Sequence, residues 1–476
     1  MPVTVGVDIG TTAVKALAAD DDGTVLARCR VPHPLRTPMA NVLEHDAALA
    51  WRDGVRTAVR RVAEEVASTL KQPVEAIQVA AMVPSLCPVD AGGVPIGPGL
   101  LYGDERAKGG ERGLDPSRDG ELLRMVEWLA GEYPDAAGFW PAQAVGIAAL
   151  CGHGVIDPVT AMTASPLFDL GTCDWDASVC GAAGVGVERL PEVWPSGEAA
   201  GTALEALGPA LRGTQVGTGT IDAFAEQLVA GADHDGDVLV ILGATLITWA
   251  CIPNWVEAPG LWTVPHTAPG KTLIGGPSNA GGILRDWAGR VLQEEAGGAG
   301  ASDPSDVPVV LPYLRGERTP LHDPERRGTI TGISLAHGPA ALWRSVREAS
   351  GHSVRHHLDL AGLLPSDGCP GECGTVARRI VATGGGVRDR AWVQAIADVT
   401  ALPVDVVAVP EGGALGAAYL ARVTAGAEPD ASGASRWAAV GERIEPDIAW
   451  VGPCSDRYRT FRELSGPPYD SSGGAP

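Results

Sequence analysis

The chain has 476 residues, 45% hydrophobic and 20% charged, which fits a folded protein of two or three domains. Its 58 acidic and 36 basic residues give a net charge of −22, which argues against nucleic acid or an anionic membrane as the main partner. A basic-then-apolar leader and an apolar run of spanning length are both missing, and nine scattered cysteines fit reduced thiols; the expectation is a cytoplasmic protein without a membrane partner.

The first informative stretch is Val5 to Lys15, two short apolar strands around Asp8-Ile-Gly-Thr-Thr12. A third strand follows the polar turn Asp20-Asp-Asp-Gly23. Gly10 lets a bound group approach the backbone, Thr11 and Thr12 offer hydroxyl and N–H donors, and Asp8 ends a strand with a carboxylate. Such a set suits a polyphosphate held with a divalent metal, and equally an ordinary Gly-Thr hairpin. Next comes Glu44-His-Asp46, then Trp51, Val55, Val59, Val62 and Val66 at helical spacing, with a stop at Gln72-Pro73. Ile77 to Met82 reads as a strand, Pro84 to Pro88 as a loop, and residues 100–106 as an apolar approach to an acid and a base. Strand, helix and strand in alternation indicate an α/β domain. Residues 110–215 read as loops and inserted helices forming one wall of a cleft.

Residues 217–231 form a glycine-rich approach to a helix with Asp222 near its start. From position alone Asp222 is a helix cap or a carboxylate aimed at a substrate. Residues 237–249 repeat the opening: strand, tight turn at Gly243-Ala-Thr245, strand. Two such hairpins suggest two related domains with a phosphate chain bound between their turns. Leu342 to Leu360 has helical spacing, and its His352, His356 and His357 read as surface or packing residues. Cys369 and Cys373 sit in a Pro/Gly loop with no second close pair, so a plain loop is favoured over a metal site. Gly384, Gly385 and Gly386 stand at a strand-to-helix turn, where a ligand can lie against backbone N–H groups. Glu411 opens a helix of small residues suited to packing against a flat ring or another helix.

In this order, these stretches resemble the FGGY family of carbohydrate kinases, in the actin-like sugar kinase superfamily. The motifs are Asp8-Ile-Gly-Thr-Thr12, Glu44-His-Asp46 with Trp51, Tyr102-Gly-Asp-Glu-Arg106, Gly219-Thr-Ile-Asp222, Gly243-Ala-Thr245, Arg315-Gly-Glu-Arg-Thr-Pro320, Gly384-Gly-Gly386 with Gln394 and Asp398, and Glu411 with residues 414–417. The resemblance implies an α/β protein of two ribonuclease-H-like (actin-like ATPase) domains, each with a mixed sheet, and an active site in the cleft between them. Residues 1–231 would bind the sugar, residues 232–455 the nucleotide, and 456–476 would be a partly disordered tail. Implied substrates and cofactors are a sugar, ATP and Mg2+, and a homodimer stays open.

The same resemblance makes Asp222 the general base that takes a proton from a sugar hydroxyl, and a metal ligand together with Asp8. Gly10, Thr11, Thr12, Lys15, Gly243, Thr245, Gly384, Gly385, Gly386, Gln394 and Glu411 would hold the nucleotide and its phosphates. Met82, Ser85, Asp104, Arg106 and Asp222 would line the sugar site. Three departures matter: Ala244 stands where many members have Thr, Met82-Val-Pro-Ser85 lacks the amide and imidazole of xylulokinases, and residues 142–147 lack a common lysine. The expected reaction is ATP-dependent phosphorylation of a ketopentose. A polyol kinase and a non-catalytic nucleotide sensor are the alternatives.

Overall fold

The computed structural model describes residues 2–39, 42–102, 104, 106, 121–169, 171–266, 270–292, 303–364, 372–409 and 411–469. The chain divides into two units. The first holds Met1–Val229, His266–Pro269 and Glu411–Trp437; the second holds Ala230–Pro265, Gly270–Pro410 and Ala438–Pro476.

In the first unit β1 (Val3–Ile9), β2 (Ala13–Ala19) and β3 (Val25–Pro32) form an antiparallel meander. On the other side of β1 lies β4 (Val74–Ala81), parallel to it, and next to β4 lie the parallel segments β5 (Gln215–Gly217) and β6 (Thr220–Ile221). β1 is buried along its whole length, Thr4 and Asp8 included. The helix Gly54–Thr69 covers one face with Val55, Val59, Val62 and Val66, the stripe its spacing predicts. The helix Ala142–Cys151 joins the same core and is buried almost throughout, so this part of the middle segment is not surface loop. Its run of Ala, Val, Ile and Leu carries no polar face.

The second unit repeats this path. β7 (Asp237–Leu242), β8 (Leu246–Ile252) and β9 (Thr272–Ser278) form the meander; β10 (Arg379–Thr383) runs parallel to β7, and β11 (Val404–Val407) parallel to β10. The two hairpins noted in the sequence are therefore equivalent elements of two similarly connected sheets.

Three expectations are corrected. Residues 84–88 are not a loop: Ser85–Val89 is a buried strand pairing with Pro98–Leu101 and Gly138–Trp140, because all five side chains find apolar cover. The segment 411–437 returns to the first unit rather than staying with its chain neighbours. Its helix Gly412–Thr424 lies so close to β1 that a Cβ on Gly6 would sit 1.8 Å from the Ala414 carbonyl oxygen. On its other side a Cβ on Gly416 would sit 1.8 Å from the Ala225 carbonyl oxygen, so of the two partners expected for the small residues a helix is present, and a strand with it. Last, residues 456–465 are not a disordered tail but the end of the helix Ile448–Ser465, anchored by fully buried Phe461; 470–476 lie outside the described residues.

Candidate active site

Asp8 and Asp222 leave the first sheet at the same edge. Asp8 pairs with Ala80 of β4 on one side, and Thr220 pairs with Ala80 on the other; Ile221 follows, then Asp222 at the first turn of the helix Asp222–Ala230. Carboxyl ends of parallel strands are where such sheets present ligand groups. Asp8 is buried, and its Oδ2 accepts a 3.0 Å bond from Lys15 Nζ on β2. The ammonium gains from Asp8 first and from Glu226 and Asp222 at longer range, so its pKa is raised despite burial.

Asp222 is enclosed by protein, although part of its surface stays open. Burial and the nearby Asp8 charge push its carboxyl up to about 7, against the Ala223 N–H (2.7 Å to Oδ1) and Lys15. The carboxylate accepts the N–H of the next residue at its helix start, and burial beside a second carboxylate sets its pKa.

The turn after β1 is braced from behind. Trp51 Nε1 donates to His45 Nδ1 at 3.0 Å, which makes Nδ1 an acceptor and puts the His45 proton on Nε2. Nε2–H then donates to the Thr11 carbonyl at 2.8 Å. Burial pushes His45 down to about 4, so this arrangement is neutral. The Thr11 hydroxyl shares a 2.7 Å bond with the Tyr102 hydroxyl, while Thr12 is exposed and Gly10 half-buried.

In the second unit residues 243–245 leave β7 and residues 384–386 leave β10 at the same end, since Thr383 pairs with Ile241. Ala244 and Gly385 are exposed, Gly243 and Thr245 half-buried. The turn is held by backbone alone: Gly243 N–H donates to Thr245 O at 3.0 Å, Gly282 N–H to Gly243 O at 2.9 Å, and Ile283 N–H to Ala244 O at 3.1 Å.

Other residues expected at a ligand are engaged with protein. Ser85 is fully buried, its hydroxyl donating to Met82 O and accepting from Ala142 N–H. Met82 is buried too. Asp104 accepts from Leu43 N–H and from Arg106, whose guanidinium also meets Glu44 at 2.8 Å and lies over the Trp128 ring. Gln394 donates to Asp398 and to the Glu445 carbonyl. Glu411 belongs to the first unit, where it pairs with Arg28 at 3.4 Å, whereas 384–386 belong to the second. His352, His356 and His357 are buried packing residues; His357 bonds Ser353 O and Thr319. Cys373 is buried, and Cys369 lies outside the described residues.

Asp8 and Asp222 suit Mg2+, which takes one or two carboxylates and completes its shell with water and phosphate oxygens. Among the described residues the one tight group of three candidate ligands, Asp233, His234 and Asp237, lies elsewhere, and Lys271 already bonds Asp233. The sequence pass missed Gln78, Gln143, Asp157 and Thr160. A lone Gln inside the apolar run 142–150 was the available signal.

The FGGY family models match this chain twice, the N-terminal domain over residues 3–137 and the C-terminal domain over residues 241–425. A gluconokinase of Bacillus subtilis is 24% identical, covering 87% of this chain and 86% of the relative. A xylulose kinase of Escherichia coli is 24% identical, covering 97% of this chain and 98% of the relative. A crystal structure of a xylulose kinase from Rhodospirillum rubrum superposes with a TM-score of 0.79 at 26% identity, covering 97% of this chain and 98% of that one. The repeated sheet path is the actin-like fold of those structures, and no described helix is long and apolar enough to cross a membrane. With both domain models matched and the paired carboxylates at one sheet edge, the chain belongs to the FGGY family of carbohydrate kinases and is an ATP-using sugar kinase.

Proposed function

We propose that the chain transfers the γ-phosphoryl group of MgATP to a hydroxyl of a ketopentose of the ribulose or xylulose type. The observation that carries the mechanism is Asp222, enclosed beside Asp8 with its carboxyl pushed up to about 7. A carboxylate of that basicity takes the hydroxyl proton as the sugar oxygen attacks phosphorus; the bond to the bridging oxygen breaks and ADP leaves. Mg2+, when bound, neutralises phosphate charge. Asp8 would hold it, and the 3.0 Å bond from Lys15 orients its carboxylate. Thr11 and Thr12 of the first unit, and Thr245 with the amides of 243–245 and 384–386 of the second, would donate to phosphate oxygens. Ala244 brings no hydroxyl, so that role falls to Thr245.

The ketopentose assignment draws on the xylulose kinases among the relatives; the gluconokinase is the competing precedent. Buried Ser85 and Met82 argue for a sugar site built from other groups, with Asp222 itself as its fixed point. The test is coupled ADP release with MgATP against ribulose, xylulose, glycerol, erythritol and gluconate. Ketopentose-dependent release is expected. Turnover of gluconate or a polyol alone would overturn the ketopentose assignment and leave the reaction class standing.

A further inference from the structure

Asp157 is fully buried, forms no ion pair among the described residues, and has no part in the mechanism above. Such a carboxylate is costly unless its bonds are complete. Its Oδ1 accepts the Thr160 N–H at 3.0 Å and lies 2.5 Å from the Thr160 hydroxyl; its Oδ2 accepts from Ser196 Oγ and Thr220 Oγ1, each at 3.0 Å.

Gln143 Nε2 donates to the Thr218 carbonyl at 2.6 Å, which fixes the amide orientation and leaves Oε1 as an acceptor. Oε1 takes the Thr160 hydroxyl proton at 2.6 Å. The same hydroxyl lies 2.5 Å from Asp157 Oδ1, so Thr160 bridges the Gln143 amide and the Asp157 carboxyl. Burial raises the Asp157 pKa, against the bonds the carboxyl accepts. The bonds close a ring: Asp157 to Thr160, Thr160 to Gln143, Gln143 to the carbonyl of Thr218, and Thr220 back to Asp157. Gln78 adds a bond from the Gly219 N–H and ties it to Thr424. Three consecutive residues, 218–220, are thus held from three sides. Two residues on stands Asp222.

We propose that Asp157, through Thr160 and Gln143, is a positioning residue that sets where the Asp222 carboxylate points. The ring is buried, with Thr160 also at the wall of a cavity lined by Val83, Ser85 and Pro141; its function is to fix the turn that delivers the base. This rests on Asp222 being the base, and the test separates the two claims. Thr220→Val removes one arm at constant shape, Thr220→Ser keeps it, and Gln143→Leu removes another arm.

Each variant is assayed on whichever of xylulose, ribulose, gluconate or glycerol the wild type turns over fastest, with amide hydrogen exchange of residues 218–223 alongside. Thr220→Val and Gln143→Leu should lower kcat by about 10- to 100-fold with KM values within about twofold, because a misplaced base costs rate and not binding. Exchange at 218–223 should quicken about tenfold, and Thr220→Ser should restore both. Unchanged exchange in Thr220→Val, or an equal kcat loss in Thr220→Ser, overturns the proposal. If Asp222→Asn keeps full activity, the base assignment falls, and the exchange result alone decides the ring.

Discussion

The two hairpins have the same strand order but opposite chemistry. The turn after β1 is flanked by ionisable groups, Asp8 and Lys15, and held from behind by the side chains of Trp51, His45 and Tyr102. The turn after β7 has no charged side chain and is held by main-chain bonds to residues 282 and 283. One topology therefore supplies a charged, side-chain-braced turn in one unit and a backbone-built donor turn in the other. Ionisable groups sit on the first; N–H groups and one hydroxyl sit on the second. Substitutions should hurt very differently at equivalent positions.

The largest effect is expected where packing supports the charged side. Gly416→Val would drive a side chain into the Ala225 backbone, and Gly6→Val would do the same at Ala414; loss of the cooperative unfolding transition, read by calorimetry, is the expected result. Next, Asp8→Asn should lower kcat by about 10²–10³-fold, since it removes a fixed charge at the metal and phosphates. Steady-state rates across Mg2+ concentrations check this. Thr245→Ala removes one neutral donor and should raise the KM for ATP by about 3- to 10-fold, in line with a net hydrogen bond of about 1 kcal/mol. Equal losses at Asp8 and Thr245 would break the comparison.

The pH dependence sharpens it from another side. The Asp222 carboxyl is raised to about 7 in the fold, so its basic form is lost as pH falls below that value and kcat should decline there. Stability has the opposite sign. A carboxyl raised above its unfolded value favours the protonated fold, so stability falls as pH rises between about 4 and about 7. The Asp222→Asn enzyme should therefore gain Tm over wild type at about pH 8 and gain little at about pH 5.

Much of this was legible in residues with strong local signatures. The apolar-rich strands β1 and β7, the turns between the strands, and the spacing of Val55, Val59, Val62 and Val66 all report the backbone path directly. Asp8 and Asp222 stood out through the order of the motifs around them; by position alone each had a structural alternative, an ordinary hairpin and a helix cap. Long-range placement was not. Nothing local in residues 411–437 says they return to the first sheet; their glycines fit two partners equally well on paper, and tertiary packing chose strand and helix. Ser85 and Asp104 looked like ligand groups because a polar residue near a motif reads the same whether its partner is a substrate or the protein. Asp157 and Gln143 were silent for a similar reason: a buried network is a matter of distances, and its members lie scattered along the chain.

The most direct test of the central claim is single-turnover ADP formation by Asp222→Asn beside wild type, at saturating MgATP and acceptor, with ATP binding measured by titration. The account predicts a loss of about 10²–10⁴-fold in the chemical step with ATP affinity nearly unchanged. A mutant that forms ADP at the wild-type rate would contradict it.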